Sequence, residues 1–177
     1  MRVAISGPPG SGTTTAAKLL AERFNLKLVS AGEIFRKLAE QRGMTLEEFG
    51  KYAEQNPEVD ILIDKTQKEI AEREDDIVVE GRLSGYFVRN ADLRVYLYAD
   101  AEVRYERIAR REKKSLEAAR EETRRREEVE RKRYRKFYGV DPEDLRIYDL
   151  AINSAKFEPE EIVEIVARAL ELRLRRK

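Results

Sequence analysis

The sequence predicts a three-layer α/β fold, a five-stranded parallel sheet flanked by helices. Three observations carry that expectation. Five short apolar runs are each bounded by charged or turn residues, helical patterns fill the intervals between them, and the first run leads straight into a glycine-rich loop. Short apolar runs without polar alternation suit strands buried on both faces. Strands that alternate with helices assemble into one parallel sheet, and such sheets bind ligands beyond the carboxyl ends of their strands.

The first strand is expected over residues 3–6, and the helical pattern 14–24 follows it. Between and across them runs Gly7-Pro8-Pro9-Gly10-Ser11-Gly12-Thr13-Thr14-Thr15. Strand, glycine loop and helix in that order are the setting of the phosphate-binding P-loop, G-x-x-x-x-G-K-[ST]. Gly7 and Gly12 hold the spacing, and Thr14 takes the Ser/Thr position whose hydroxyl reaches Mg²⁺. Thr13 stands where the motif has Lys. Glycines let backbone N–H groups crowd around a phosphate, and the helix N-terminus adds a favourable dipole; neither effect needs the Lys. The Lys charge on the β/γ-phosphates does need a substitute. A glycine-rich turn that binds nothing is the competing reading.

The second strand is expected over residues 27–30, with helices over 32–42, 46–56 and 59–74. Ser30-Ala31-Gly32 opens the first of these, and Arg36 lies one turn in, where a guanidinium can point back over the strand ends and fork onto a phosphate. A surface Arg on an amphipathic helix is the alternative. The third strand, 77–80, ends in Glu80-Gly81-Arg82. Glu80 at a strand end beside the P-loop can hold a Mg²⁺-bound water or orient an acceptor phosphate, and Arg82 can clamp a phosphate. A structural ion pair is the competing reading there.

The fourth strand, 93–98, leads into helices 101–111 and 116–138. Residues 104–136 hold fifteen Lys/Arg against eight Glu and little that could form a core. A solvated, salt-bridged helical pair explains most of those charges. A mobile lid that lays arginines over a polyphosphate is the sharper reading, with Arg107, Arg110 and Arg111 favoured and Arg126, Arg131 and Arg133 as candidates from the returning helix. The fifth strand, 150–153, precedes a last helix, 159–175, that starts on Pro159-Glu160-Glu161 and ends in a basic tail including Arg173, Arg175, Arg176 and Lys177.

Composition bounds the chemistry. The 177 residues suffice for one domain with a sizeable core; 41% are hydrophobic, 40% are charged, and the net charge is +1. That balance argues against a stable nucleic-acid partner. There is no Cys and no His, which removes disulfides, thiolate metal sites and the commonest general base. Mg²⁺ stays available, because hydroxyls, carboxylates and phosphate oxygens suffice for it. No apolar stretch is long enough to span a membrane and no signal-peptide pattern is visible, so a cytoplasmic protein is expected. Abundant Lys, Glu and Arg without Cys form a thermophile-like bias.

Taken in order, residues 7–14, 29–36, 79–82, 107–111 and 148–154 resemble the nucleoside monophosphate kinases, and within them the archaeal-type cytidylate kinases. The resemblance covers nearly the whole chain. It implies a single domain of three parts: a core (1–29, 65–103 and 137–177), a monophosphate-binding insert (about 30–64) and a lid (about 104–136). It implies Mg²⁺-assisted transfer of phosphate from ATP to CMP or dCMP in a monomer. Residues Gly7 to Thr15 would bind the nucleotide, and Thr14 with Glu80, through water, would hold Mg²⁺. Arg36 and Arg82 would hold the acceptor phosphate, while Arg107, Arg110 and Arg131 would grip the transferred and donor phosphates. The loop after Asn153 would lie near the donor base. For the acceptor base, Asp60, Asp64 and Arg89 are the open candidates. A kinase of AMP, UMP or another small acceptor, and a catalytically weak nucleotide- or RNA-binding module, remain the alternatives.

Overall fold

The computed structural model describes residues 1–175; Arg176 and Lys177 of the basic tail lie outside the described residues. Five strands, β1 (Arg2–Ser6), β2 (Lys27–Ser30), β3 (Ile77–Glu80), β4 (Leu93–Tyr98) and β5 (Leu150–Asn153), form one sheet in the order β2-β3-β1-β4-β5. Every pairing is parallel, with Val3 opposite both Val78 and Leu93, and Tyr98 opposite Asn153. The four strands expected at 27–30, 77–80, 93–98 and 150–153 stand at those bounds, and the first gains Arg2.

The eight α-helices among the described residues are α1 (Thr13–Phe24), α2 (Ala31–Gln41), α3 (Leu46–Gln55), α4 (Glu58–Arg73), α5 (Ser84–Phe87), α6 (Ala101–Glu112), α7 (Leu116–Tyr138) and α8 (Pro159–Leu174). The expected helices match these within one residue at each end, but α5 and a 3₁₀ turn at Leu145–Ile147 were not foreseen. Successive strand residues point to opposite faces. Val3, Ile5, Val78, Val95 and Leu97 therefore meet Leu20 of α1 and Val166 and Leu170 of α8 on one side. Ala4, Ile77 and Val79 face the other side with Val29, Ala71 of α4 and Val88. A smaller cluster, Ala39, Phe49, Val59 and Ile63, packs α2, α3 and α4 together beyond the sheet.

Helix ends follow local chemistry. Thr45 and Glu48 form a reciprocal capping box on α3, and Glu158 and Glu161 do the same on α8 behind Pro159. Ser115 caps α7, and Gly139 closes it in the left-handed conformation at φ 64°. Among the described residues no helix is long and apolar enough to cross a membrane.

Candidate active site

The carboxyl ends of β1 and β3 set the centre of the site. Chain reversal after Ser6 is tight: Gly10 and Gly12 sit at φ 81° and 88°, and Gly12 is the N-cap of α1. At Gly10 a side chain is excluded twice, by the positive φ and because a Cβ would lie 2.6 Å from the carbonyl oxygen of Arg104.

Glu80 ends β3 and is buried in a ring of hydroxyls. Thr13 Oγ1 donates to Glu80 Oε1 at 2.7 Å, Thr14 Oγ1 to the same oxygen at 3.2 Å, and Ser30 Oγ to Oε2 at 2.8 Å. Thr13, at the Lys position of the motif, is thus committed to a carboxylate. Gln67 of α4, also buried, donates to the Glu80 carbonyl at 2.6 Å and fixes the strand end. A Cβ on the next residue, Gly81, would come within 2.8 Å of Gln67 Oε1, so the tight approach of α4 depends on that glycine.

Three arginines take carbonyls of the glycine loop from outside. Arg82 donates to Gly7 O at 3.1 Å, Arg104 to Pro9 O at 3.0 Å and Arg107 to Gly10 O at 3.3 Å. Arg82 also pairs with Glu130 of α7 at 2.6 Å, and Arg126 takes the other Glu130 oxygen at 2.8 Å. Burial opposes ionisation of Glu130, but Arg82 and Arg126 overcome it and hold its carboxyl down at about 2. The ion pair weighed for Arg82 from the sequence is present, with Glu130 as the partner. Arg104 bonds in addition to Ala99 O at 3.2 Å and to Glu127 of α7 at 2.7 Å. Arg107 reaches across to Ser154, donating to its Oγ at 3.0 Å and its carbonyl at 2.8 Å.

The remaining expected residues are spread more widely. Arg36 and Arg110 are exposed and have no hydrogen bond or ion pair among the described residues; Arg36 folds back so that Nη1 lies 3.6 Å from where a Cβ of Gly32 would sit. Arg131 pairs with Glu143 at 2.8 Å and, with Gly7, Arg82 and Tyr96, lines a small cavity of about 20 Å³. Arg111 pairs with its neighbour Glu112. Arg133 pairs with Asp60, and Tyr138 donates to Asp64 at 3.1 Å. Burial pushes the Asp64 carboxyl up to about 7, against the pull of Arg133 and Tyr138. Arg89 is exposed, and its carbonyl accepts from Arg94 at 2.6 Å. Sequence reasoning missed the roles of Ser30 and Arg104. Ser30 was read only as a small helix opener, and Arg104 was one among fifteen basic residues. Its place one turn after the carboxyl end of β4, level with the loop, was the available signal.

On the other side of the loop, a cleft of about 520 Å³ is lined by Gly10, Ser11, Gly12 and Thr15, by Arg107 and by the segment from Ser154 to Phe157. The Ser11 hydroxyl in its wall is buried with no hydrogen-bond partner among the described residues. No group of three or more carboxylates able to hold a metal exists among the described residues. A hydroxyl–carboxylate set such as Thr14 and Glu80 suits Mg²⁺, which takes one or two protein oxygens and draws the rest from phosphate and water. The residues present fit that ion.

The chain is 61% identical to the cytidylate kinase of Archaeoglobus fulgidus, covering 98% of this chain and 96% of that one. It is 50% identical to the cytidylate kinase of Pyrococcus horikoshii, covering 96% and 88%. Among solved structures, shikimate kinase from Bacteroides thetaiotaomicron shares the fold with a TM-score of 0.64 at 16% identity, covering 97% of this chain and 98% of that one. The profile of the cytidylate kinase-like family matches residues 2–156, and the chain belongs to that family.

Proposed function

We propose that the protein transfers the γ-phosphate of ATP to CMP or dCMP, giving ADP and CDP or dCDP. The observation that carries the reading is the hydroxyl-ringed Glu80 between the P-loop and Arg82. It joins a nucleotide-phosphate loop to a second anion site in a chain 61% identical to a cytidylate kinase.

The glycine-loop amides and the N-terminus of α1 bind the ATP phosphates. Residues around the cleft beside Ser154 and Phe157 receive the donor base, and Arg107 orders that wall through Ser154. Thr14 and Glu80, the latter through water, would hold Mg²⁺, which would supply positive charge to offset that of the donor phosphates. Arg36 and Arg82 align the acceptor phosphate; for Arg82 this means leaving Glu130. Arg110 and Arg131 move over the transferring group as the lid, residues 104–136, closes on the core across the insert, residues 30–64. Closure excludes water, which would otherwise hydrolyse ATP. The nucleophile is an anionic phosphate oxygen and needs no strong base, which accords with a chain that has no His.

The test is ADP formation from ATP·Mg²⁺ with CMP, dCMP, UMP, AMP, GMP or no acceptor. Turnover that depends on CMP or dCMP is the expected result. Preference for AMP or UMP would move the acceptor assignment, and no turnover with any acceptor would overturn the kinase reading.

A further inference from the structure

The geometry points to Arg104 as the positioning residue of the P-loop: by holding the Pro9 carbonyl on the outside of the loop, it aims the Gly10 N–H into the concave side where a nucleotide's β-phosphate sits. The inference rests on the kinase reading above for the identity of the ligand, but its chemistry is that of any nucleoside di- or triphosphate in this loop.

A peptide is planar and, among the described residues, trans throughout, so a carbonyl and the N–H that follows it point in opposite directions. Pinning a carbonyl outside the loop therefore turns the next N–H inside. Arg82 pins Gly7 O, but the next residue is Pro8, which has no N–H to aim. Arg107 pins Gly10 O, but the next N–H, of Ser11, already donates to Pro8 O at 3.2 Å. Only the bond from Arg104 to Pro9 O controls an N–H free to meet a ligand, that of Gly10.

Arg104 is built for this task. It is buried, 7% exposed, in the first turn of α6. Its guanidinium is fixed on three sides, by Ala99 O at the end of β4, by Pro9 O, and by Glu127 on α7. Its own backbone is the surface against which Gly10 turns. Because Glu127 belongs to the lid, the aim of the Gly10 amide is coupled to where α7 lies. A loop whose Lys position is Thr13, already bonded to Glu80, has no cation of its own to draw the β-phosphate in. Correct aim of each backbone donor then matters more, since a preorganised donor contributes only where it already points.

The test is calorimetric titration of the full chain with ADP·Mg²⁺ and, separately, with AMP, for Arg104→Met and Arg104→Lys. Met keeps the stem and removes every donor. Lys keeps the charge, but one ammonium does not reproduce the planar fork that reaches three acceptors. A lost charge-assisted donor is expected to weaken ADP about tenfold in the Met variant and less in the Lys variant, with AMP, which has no β-phosphate, within about twofold of wild type. In turnover, kcat should fall with acceptor KM held. Equal loss of ADP and AMP binding would make Arg104 merely structural and overturn the inference; unchanged ADP affinity would overturn it too. If the Met variant does not fold, the ADP-against-AMP contrast in the Lys variant decides alone. Failure of wild type to phosphorylate CMP would count against the kinase reading only, because the binding contrast needs no acceptor.

Discussion

Around β1 and β4, Val3, Ala4, Val95 and Leu97 are fully buried, and α1 and α8 close over one face with Leu20, Val166 and Leu170. Along α7, by contrast, the buried side chains include Glu130 and Arg133, and the helix is held by Arg82–Glu130, Arg104–Glu127 and Asp60–Arg133. The first region gains stability from removing apolar surface from water, a non-directional force that fixes the strands rigidly. The second region is held by directional pairs whose Coulomb gain is largely offset by desolvation. Pairs of that kind can be exchanged for a phosphate. On the proposed kinase reading, rigidity lies where the loop keeps its shape and exchangeable contacts lie where a substrate would enter.

The comparison can be broken most sharply at Arg82. Arg82→Ala is expected to lower kcat roughly a hundred- to a thousand-fold, the scale of losing one aligned donor at a transferring group, while ATP affinity changes less than about threefold. Parallel loss of ATP binding in calorimetry would place Arg82 on the donor side instead. Leu170→Ala should act on the rigid region alone. It is expected to cost about 3 kcal/mol and to lower the melting temperature by roughly 10 °C, with no dependence on salt or pH and with KM values intact.

Glu130→Gln should have the smallest effect, and one that depends on pH. The native carboxyl, at about 2, lies below its ordinary value of 4.5, so its contribution is present above about 4.5 and disappears as the pH falls toward 2. Urea unfolding at neutral pH should show the Gln variant less stable by about 2 kcal/mol, with the gap closing in acid. A gap that stays constant with pH would mean that Glu130 acts by packing rather than by charge.

Much of the fold was legible because its signals are local. Five apolar runs, each too short for a helix, gave the strands, and glycine spacing after the first gave the loop. The single turn of α5 and the 3₁₀ turn at Leu145–Ile147 are too short to carry any period. The former is set instead by a long-range contact: the Gly85 N–H bonds to Ser6 Oγ, and a Cβ there would meet the ring of Tyr148 at 2.5 Å. The site was legible in its residue types and less so in its pairings. Glu80 and Arg82 were visible at a strand end, but that Thr13 faces Glu80 and that Arg82 faces Glu130 are juxtapositions across 67 and 48 residues. In the 104–136 segment Arg104 and Arg107 turn to the loop and Arg110 turns to solvent, and apart from the place of Arg104 just after β4 their residue type and spacing do not separate them.

The carboxylate of Glu130 has one more consequence, for which anions the protein notices. A bare arginine beside a glycine loop would collect inorganic phosphate, abundant in any cell. Here a tethered rival, Glu130, already occupies the guanidinium at 2.6 Å, and a free ion must compete with that intramolecular contact. A small anion brings only its charge and loses that contest. On the proposed kinase reading, a nucleotide brings a base and a sugar as well, and those additional contacts would let its phosphate displace Glu130. On that reading the resident ion pair would be a threshold that screens out small anions before any chemistry begins.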